Sequence, residues 1–277
     1  MRRFIPFLPR VPLVPVIRLT GAIGGGARLG GGGMSDAALA PVIERAFALR
    51  GVTAVALAVN SPGGSPVQSS LIAARIRRLA DEKKIPVHAF VEDAAASGGY
   101  WLACAADHIW VDDCSLVGSI GVISASFGLP EFLARNGVER RVHTAGRSKS
   151  LGDPFLPEKP EDVARLRAIL DPIHDAFIAH VRARRGDRLK ADVDYFQGDV
   201  WVGARAVDLG LADGPGHLAP KLRALYGDKT RFLPLGQRRP FWRRFGIEGA
   251  AARMGAEAVT AALDAAEERA AWARLGL

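Results

Sequence analysis

The chain has 277 residues, 49% of them hydrophobic, and a formal net charge of +8 at pH 7. This length is enough for one large domain, or one domain with an appendage, and the hydrophobic content allows a substantial core. The six histidines are scattered without a His-Glu-x-x-His motif, and the two cysteines lack Cys-x-x-Cys spacing, which argues against a zinc site.

The N-terminal segment is apolar, but it is not predicted to cross a membrane. Prolines at positions 6, 9, 12 and 15, together with Arg10, interrupt the apolar residues 4–19. The segment is therefore too short and too broken for a spanning helix, and it lacks the continuous apolar run of a signal peptide. We expect an N-terminal arm over residues 1–13 and a first strand over Val14–Leu19.

Glycines cluster at 24–26 and 30–33, which predicts a flexible loop; the spacing does not match a dinucleotide-binding fingerprint. The continuous apolar run Val52–Val59 is typical of a strand buried on both faces of a parallel sheet. Helices are predicted on both sides of this strand, the second beginning at Pro66. Their apolar positions are Leu39, Val42, Ile43, Ala46 and Phe47 in the first helix, and Val67, Leu71, Ile72, Ile76 and Leu79 in the second.

Strands and helices continue to alternate after residue 85. The predicted extended segments are Pro86–Val91, Ile109–Val111, Leu116–Ser124 (a glycine-punctuated turn and strand) and Arg141–Thr144. The predicted helices are Ser97–Ala106, Pro130–Asn136, Glu161–Arg185 and, as the last short helix before residue 210, Ala204–Leu209. The long helix is expected to bury Leu166, Ile169, Leu170, Ile173, Phe177 and Val181. This alternation predicts an α/β fold with a mostly parallel sheet and right-handed crossovers.

The C-terminal part of the chain is strongly basic. Residues 221–245 hold eight basic side chains against one acidic, a net charge of +7. Arginines and aromatic residues interleave over 238–245, as they do in membrane-surface segments; a solvated or partner-facing tail is the alternative, and nucleic acid is not expected. We expect residues 14–220 to form the main domain, and residues 221–277 to form a basic linker and an alanine-rich helix beginning near Gly249.

Ser97 is the strongest candidate nucleophile. It precedes Gly98 and Gly99 at a predicted strand-to-helix turn, where glycines permit a tight turn that exposes the serine. The N–H of Gly98, at the start of the helix, could stabilise an oxyanion. Gly64 follows another strand, and the carboxyl ends of parallel strands share one edge of a sheet. We therefore expect the Gly64 N–H to face the Gly98 N–H.

A serine hydroxyl needs a base to take its proton. No histidine has an evident catalytic motif, and His88, His143, His174 and His180 are expected to be structural. Lys149 is the alternative, although a lysine accepts a proton only when its amine is neutral, which requires burial or a nearby positive charge. Spacing alone leaves Lys149 open between a base and a solvated surface lysine.

Several short motifs occur in an order that resembles the bacterial signal peptide peptidase A and SohB-type serine peptidase family. They are Asn60-Ser61-Pro62-Gly63-Gly64, Ala96-Ser97-Gly98-Gly99-Tyr100, Ala105-Ala106-Asp107-His108-Ile109, Gly118-Ser119-Ile120-Gly121-Val122, Ala145-Gly146-Arg147-Ser148-Lys149 and Ala206-Val207-Asp208-Leu209-Gly210-Leu211. The resemblance extends from about Val14 to Asp213. It implies the Clp-protease/crotonase superfold, a spiral of β-β-α units around a mostly parallel sheet.

The resemblance also implies roles for particular residues. Ser97 matches the family nucleophile, Lys149 the general base and Ser119 the hydroxyl that orients the lysine, while Gly64 and Gly98 match the oxyanion donors. The implied reaction is peptide-bond hydrolysis through an acyl-enzyme on Ser97, without a metal or other cofactor. The implied substrates are signal-peptide remnants or unfolded apolar peptides.

The resemblance further implies a homo-oligomeric ring, as in the short members of the family. Many members carry an N-terminal membrane anchor, and none is predicted in this sequence. We therefore expect a bacterial protein of the cytoplasm, or one held peripherally at the inner membrane through residues 238–245.

Two other functions are compatible with the same superfold. A crotonase-type acyl-CoA enzyme also uses paired backbone N–H donors, but the pairing of Ser97 with Lys149 argues against it. A catalytically silent, membrane-associated scaffold would not need Ser97, Ser119 and Lys149, and all three are present.

Overall fold

The structure is a computed structural model that describes residues 11–24, 34–146, 149–236, 266 and 269–277. The predictions for residues 1–10 of the N-terminal arm, residues 25–33 of the glycine loop and the basic aromatic stretch (238–245) lie outside the described residues. The described residues form two compact units, one reaching to Ile120 and resuming at His180, the other comprising Gly121–Ala179.

The described strands of the first unit form an eight-stranded sheet in which β5 and β6 are the one antiparallel pair. Its strands are β1 (Leu13–Thr20), β2 (Val55–Ser61), β3 (Val87–Ala96), β4 (His108–Val111), β5 (Leu116–Gly118), β6 (Val200–Val202), β7 (Gly214–Pro215) and β8 (Arg231–Leu235). The main order is β6-β5-β3-β2-β1-β8, and β4 pairs with β3 and β7. The prediction of a mixed α/β fold with a mostly parallel sheet is confirmed.

The described helices connect these strands or extend into the second unit. They are α1 (Asp36–Ala48), α2 (Pro66–Lys83), α3 (Gly98–Ala103), α4 (Pro130–Arg135), α5 (Pro160–Arg185), α6 (Gly203–Asp208) and α7 (Leu218–Tyr226). Serines cap the first two: Ser35 accepts a hydrogen bond from the N–H of Ala38, and Ser65 accepts one from that of Gln68.

Strand β2 lies in the middle of the core, as its apolar run predicted. Its residues Val55–Val59 are all buried. Helices α1 and α3 pack against the central strands. A separate cluster around Phe90, Trp110 and Leu222 includes the alanines of β2, so that the strand contributes to more than one part of the core. Burial on both faces explains why β2 is almost uniformly apolar rather than alternating.

The apolar pattern was correct for α1 and only partly correct for α2. All five predicted apolar residues of α1 are buried, whereas Val67 and Leu71 of α2 are 64% and 46% exposed. Successive helical residues are rotated by about 100°, so Leu71 lies roughly 100° around the axis from the buried Ile72. These two side chains therefore fall outside the stripe that faces the core.

Other departures from the predictions have similar local causes. Ile169 of α5 is 51% exposed, because only some of the apolar residues predicted to be buried in this helix lie on its packed face. Arg141–Thr144 is irregular and exposed, and it pairs with no described strand. The Leu116–Ser124 strand is limited to β5, after which the chain leaves the sheet.

The chain returns to the sheet after α6, and a further helix, α7, precedes β8. Residue 220 falls inside α7, and β8 pairs in parallel with β1, from Leu13 opposite Arg231 to Ile17 opposite Leu235. The start of the predicted basic linker, residues 221–235, thus contains most of α7 and the edge strand β8. Residues 269–273 of the predicted alanine-rich helix are helical.

Candidate active site

Two serines at the carboxyl ends of adjacent strands have unusual backbone conformations. Among the described residues other than glycine, Lys84, Ser97 and Ser119 have positive φ. Lys84 ends α2 in the left-handed conformation that is common at helix ends. Ser97 has φ 52° and ψ −123°, and Ser119 has φ 51°. Such strain persists where the surrounding structure enforces it, and it clusters at functional sites.

Hydrogen bonds hold these serines beside each other. Strands β3 and β5 pair up to Ala96 and Gly118, and the N–H of Ser97 donates to the carbonyl of Gly118 at 2.8 Å. The N–H of Ser119 donates to the carbonyl of Asp199 at 2.6 Å. Ser97 and Ser119 are thus the first residues beyond two paired strands, at the same edge of the sheet.

An irregularity in β3 precedes Ser97. Val59 lies opposite Val91, but Ser61 lies opposite Ala95, so β3 contains two extra residues at this point. The side chain of Asn60 spans the irregularity: its amide donates to Asp93 Oδ2 at 2.6 Å, and its Oδ1 accepts from the N–H of Ala94 at 3.2 Å. Bulges of this kind redirect strands near active sites.

The structure brings the two predicted oxyanion donors together. A Cβ placed on Gly98 would lie 3.4 Å from the backbone N of Gly64, and one placed on Gly63 would lie 2.7 Å from the Cβ of Ser97. Within the described ranges, no protein acceptor is hydrogen-bonded to the N–H of Gly64 or Gly98. Two free N–H groups beside a serine hydroxyl are the arrangement that stabilises a tetrahedral oxyanion.

Lys149 belongs to the second unit, where it lies exposed in a turn. Its backbone N–H donates to the carbonyl of Gly146 at 3.2 Å. Four residues later, Asp153 accepts two hydrogen bonds from Arg140, and the side chain of Asp153 is only 7% exposed. Arg140 also lies over the ring of Phe155. Because Ser97 and Lys149 lie in different units, their pairing stays a prediction.

Two histidines are engaged in the core of the first unit. The Nε2 of His88 lies 2.7 Å from the hydroxyl of Tyr226, and the Nε1 of Trp110 donates to His88 Nδ1 at 3.2 Å. Burial lowers the pKa of His88 to about 4, with a smaller contribution from nearby His108. His180 stacks on Trp101, and its burial also lowers the pKa of the imidazole.

Two aspartates within the region of family resemblance anchor strands. The carboxylate of Asp107 accepts from the N–H of Val87, and that of Asp213 accepts from the N–H of Ile109. Arg185, which is buried, donates to Asp213 at 2.8 Å and twice to the carbonyl of Gly210. The sequence contained the aspartates but gave no sign that an arginine near the end of a long helix would be buried beside one of them.

Across the described part of the chain, no group of three or more metal-binding side chains is arranged to hold an ion. The helices described here do not include one with the length and apolar character needed to cross a bilayer.

Comparisons with known proteins show what this chain is similar to. Residues 80–224 match the sequence profile of peptidase family S49. A Synechocystis protein whose name describes a protease is 30% identical over 234 residues, which cover 82% of this chain and 80% of that protein. A Brucella melitensis protein named as the Na⁺/H⁺ antiporter NhaA is 46% identical over 286 residues, covering all of this chain. This chain spans only 39% of the length of that antiporter-named relative.

Among solved structures, a mutant of the membrane-bound stomatin-specific protease 1510-N, in complex with a substrate peptide, resembles this chain with a TM-score of 0.46 and 13% identity. The alignment covers 84% of this chain and 95% of that one.

Proposed function

Because the chain belongs to peptidase family S49, we propose that it is a serine endopeptidase in which Ser97 is the nucleophile and Lys149 the general base. The observation that supports this most directly is the strained Ser97 next to the unpaired N–H groups of Gly64 and Gly98. A strained turn presents the hydroxyl outward, and the two N–H groups provide the charge stabilisation that acyl transfer needs.

The proposed reaction proceeds in two steps. Ser97 Oγ attacks the scissile carbonyl carbon while its proton passes to the neutral amine of Lys149, and Gly64 and Gly98 donate to the resulting oxyanion. The C–N bond breaks, and the proton on Lys149 passes to the leaving amine. Water then attacks the ester on Ser97, transferring a proton to Lys149. The bond to Ser97 Oγ breaks, Oγ takes the proton back from Lys149, and the carboxyl product leaves. In this proposal the hydroxyl of Ser119 orients Lys149.

We propose signal-peptide remnants or unfolded apolar peptides as the substrates, in keeping with the sequence resemblance. The Brucella relative extends far beyond the part that this chain matches. A peptidase rather than a transport role for this chain is supported by the S49 profile, which covers residues 80–224 and so includes Ser97.

A homo-oligomeric ring is the proposed assembly. In the second unit, several large apolar side chains are exposed in the single chain, which is consistent with burial against another copy. They include Ile123, Phe127, Phe132 and Val138. Peripheral contact with the inner membrane through residues 238–245 is proposed from the sequence alone, since those residues lie outside the described part of the chain.

Cleavage of a synthetic apolar signal peptide, followed by mass spectrometry, tests the proposed function. Wild type should cut the peptide, whereas Ser97→Ala and Lys149→Ala should lose cleavage while keeping their circular dichroism and assembly state. Ser115→Ala and Lys159→Ala are matched controls that should retain activity. Cleavage that survives both site substitutions would contradict the dyad, and an inactive, folded wild type would favour the scaffold alternative.

A further inference from the structure

The turn Ser61–Gly64, here called the oxyanion turn, carries one of the two proposed oxyanion donors. Much of its position is fixed by backbone hydrogen bonds to the segment that follows β1. The N–H of Ile23 donates to the carbonyl of Gly63 at 2.8 Å, and the N–H of Ser65 donates to the carbonyl of Ile23 at 2.8 Å. These bonds hold the turn from one side.

The side chain of Ser61 crosslinks the oxyanion turn from within. Its hydroxyl donates to the carbonyl of Gly21 at 2.7 Å and accepts from the N–H of Gly63 at 3.2 Å. Ser61 is fully buried, at 0% exposure. The hydroxyl thus uses both its donor and its acceptor function on backbone groups, one of which belongs to the residue immediately before Gly64.

Ser61 also contacts the turn that carries the nucleophile. A Cβ placed on Gly99 would lie 2.5 Å from the carbonyl oxygen of Ser61 and 3.1 Å from its Cβ. A Cβ on Gly63 would lie 3.0 Å from the N of Gly98. The two donor-bearing turns are therefore packed backbone to backbone, and Ser61 lies at their contact.

We propose that Ser61 is a positioning residue for the oxyanion hole, and that its hydroxyl fixes Gly63 so that the N–H of Gly64 is aligned with that of Gly98. This inference rests on the proposed function. Without the hydroxyl, the Gly63 N–H loses its acceptor, and the turn is held only by its backbone bonds to Ile23 and by packing, so that Gly63 can shift. Misplacing a donor weakens stabilisation of the transition state more than binding of the ground state, since the oxyanion forms only in the former.

Kinetics of Ser61→Ala test the proposal. We expect kcat to fall by about 10- to 100-fold while KM changes by less than about twofold, which is the size expected for a displaced oxyanion donor. A peptide aldehyde, whose adduct with Ser97 places an oxygen in the oxyanion hole, should lose affinity by about the same factor as kcat/KM. A peptide that ends at the cleaved bond should bind unchanged.

Ser115→Ala is the matched control. Ser115 is a buried serine whose hydroxyl donates to the carbonyl of Glu92 and accepts from the N–H of Asp112, but it does not contact the oxyanion turn. The substitution Ser115→Ala removes a comparable pair of buried hydrogen bonds, and it should leave kcat and the affinity for the aldehyde near their wild-type values. Ser61→Cys, which is close in size and has a weakly bonding thiol, serves if Ser61→Ala fails to fold.

The possible failures can be told apart. Suppose that wild type cleaves the peptide in a Ser97-dependent way and that folded Ser61→Ala or Ser61→Cys keeps the full kcat. The positioning role is then refuted, while the proposed function stands. An equal loss in Ser115→Ala, or a fall in kcat without loss of aldehyde affinity, also refutes it. Absence of Ser97-dependent cleavage in wild type overturns the proposed function and this inference together.

Discussion

His88 should make the stability of the first unit sensitive to acid. Its imidazole accepts a hydrogen bond from Trp110 on Nδ1, so Nε2 carries the proton and faces the hydroxyl of Tyr226. A second proton on Nδ1 would point at the Trp110 N–H. Together with burial, and with repulsion from His108, this geometry favours the neutral imidazole.

The size of this effect on the free energy of unfolding follows from the change in the pKa of His88 on folding. His88 titrates near 6.5 when unfolded and near 4 when folded, so between these values the unfolded chain binds more protons. The stabilisation is complete above pH 6.5 and is lost progressively as the pH falls towards 4. The full difference corresponds to at most about 3 kcal/mol in the free energy of unfolding.

Urea unfolding of wild type and His88→Gln at pH 7 and pH 4 measures this effect. Other titrating groups are common to both proteins, so the difference between their pH dependences isolates His88. Between pH 7 and pH 4, the free energy of unfolding of wild type should fall by up to about 3 kcal/mol more than that of the variant. Identical pH dependence in the two proteins would refute the assignment of His88 as a neutral, buried imidazole.

Three further substitutions test other parts of the structure. Gly64→Ala should lower kcat by about 100-fold in steady-state assays, because Gly64 has φ +140° and a Cβ there would lie 2.1 Å from the carbonyl oxygen of Ile23. Arg185→Met should reduce the free energy of unfolding by about 3–5 kcal/mol in urea titrations, because it removes the buried partner of Asp213 and the donor to Gly210. Asp153→Asn should lower kcat by about tenfold in the peptide assay, because the ion pair with Arg140 braces the turns that follow Lys149.

Each of these predictions has a matched control or a clear contrary result. Arg188→Met removes a longer, more exposed contact to Asp213 and should cost less than about 1 kcal/mol; a similar loss for both arginines would contradict the reasoning. Glu139→Gln removes an exposed ion pair to Arg141 and should leave kcat unchanged, unlike Asp153→Asn. A fully active Gly64→Ala would contradict the need for a glycine at this strained and crowded position.

Local sequence patterns predicted the helices and strands in which buried positions recur at regular intervals. The apolar residues of α1 and the continuous run of β2 were sufficient because burial on a helix stripe or on both sheet faces dictates the residue type. Strand β8 could not be recognised in this way. It is short, it contains Pro234, and it lies in a basic segment; its partner β1 is more than two hundred residues earlier, from Leu13 onward.

The candidate site could be predicted only in part from the sequence. The proximity of Ser97 and Gly64 followed from the rule that parallel strands end at one edge, once the strands themselves were predicted. The hydrogen bond from Ser61 to Gly21 did not, because these two residues are far apart in the chain and meet only when β1 and β2 pair. The burial of Arg185 was equally hidden, since it depends on where the end of α5 meets Gly210 and Asp213.

Trapping the acyl-enzyme tests the central claim most directly. Wild type would be mixed with an ester of an apolar signal peptide, quenched in acid, digested and mapped by mass spectrometry. The account predicts one acyl adduct, on the peptide that contains Ser97, and none in Ser97→Ala. Efficient turnover with the adduct on another residue, or undiminished acylation of Ser97→Ala, would contradict Ser97 as the nucleophile.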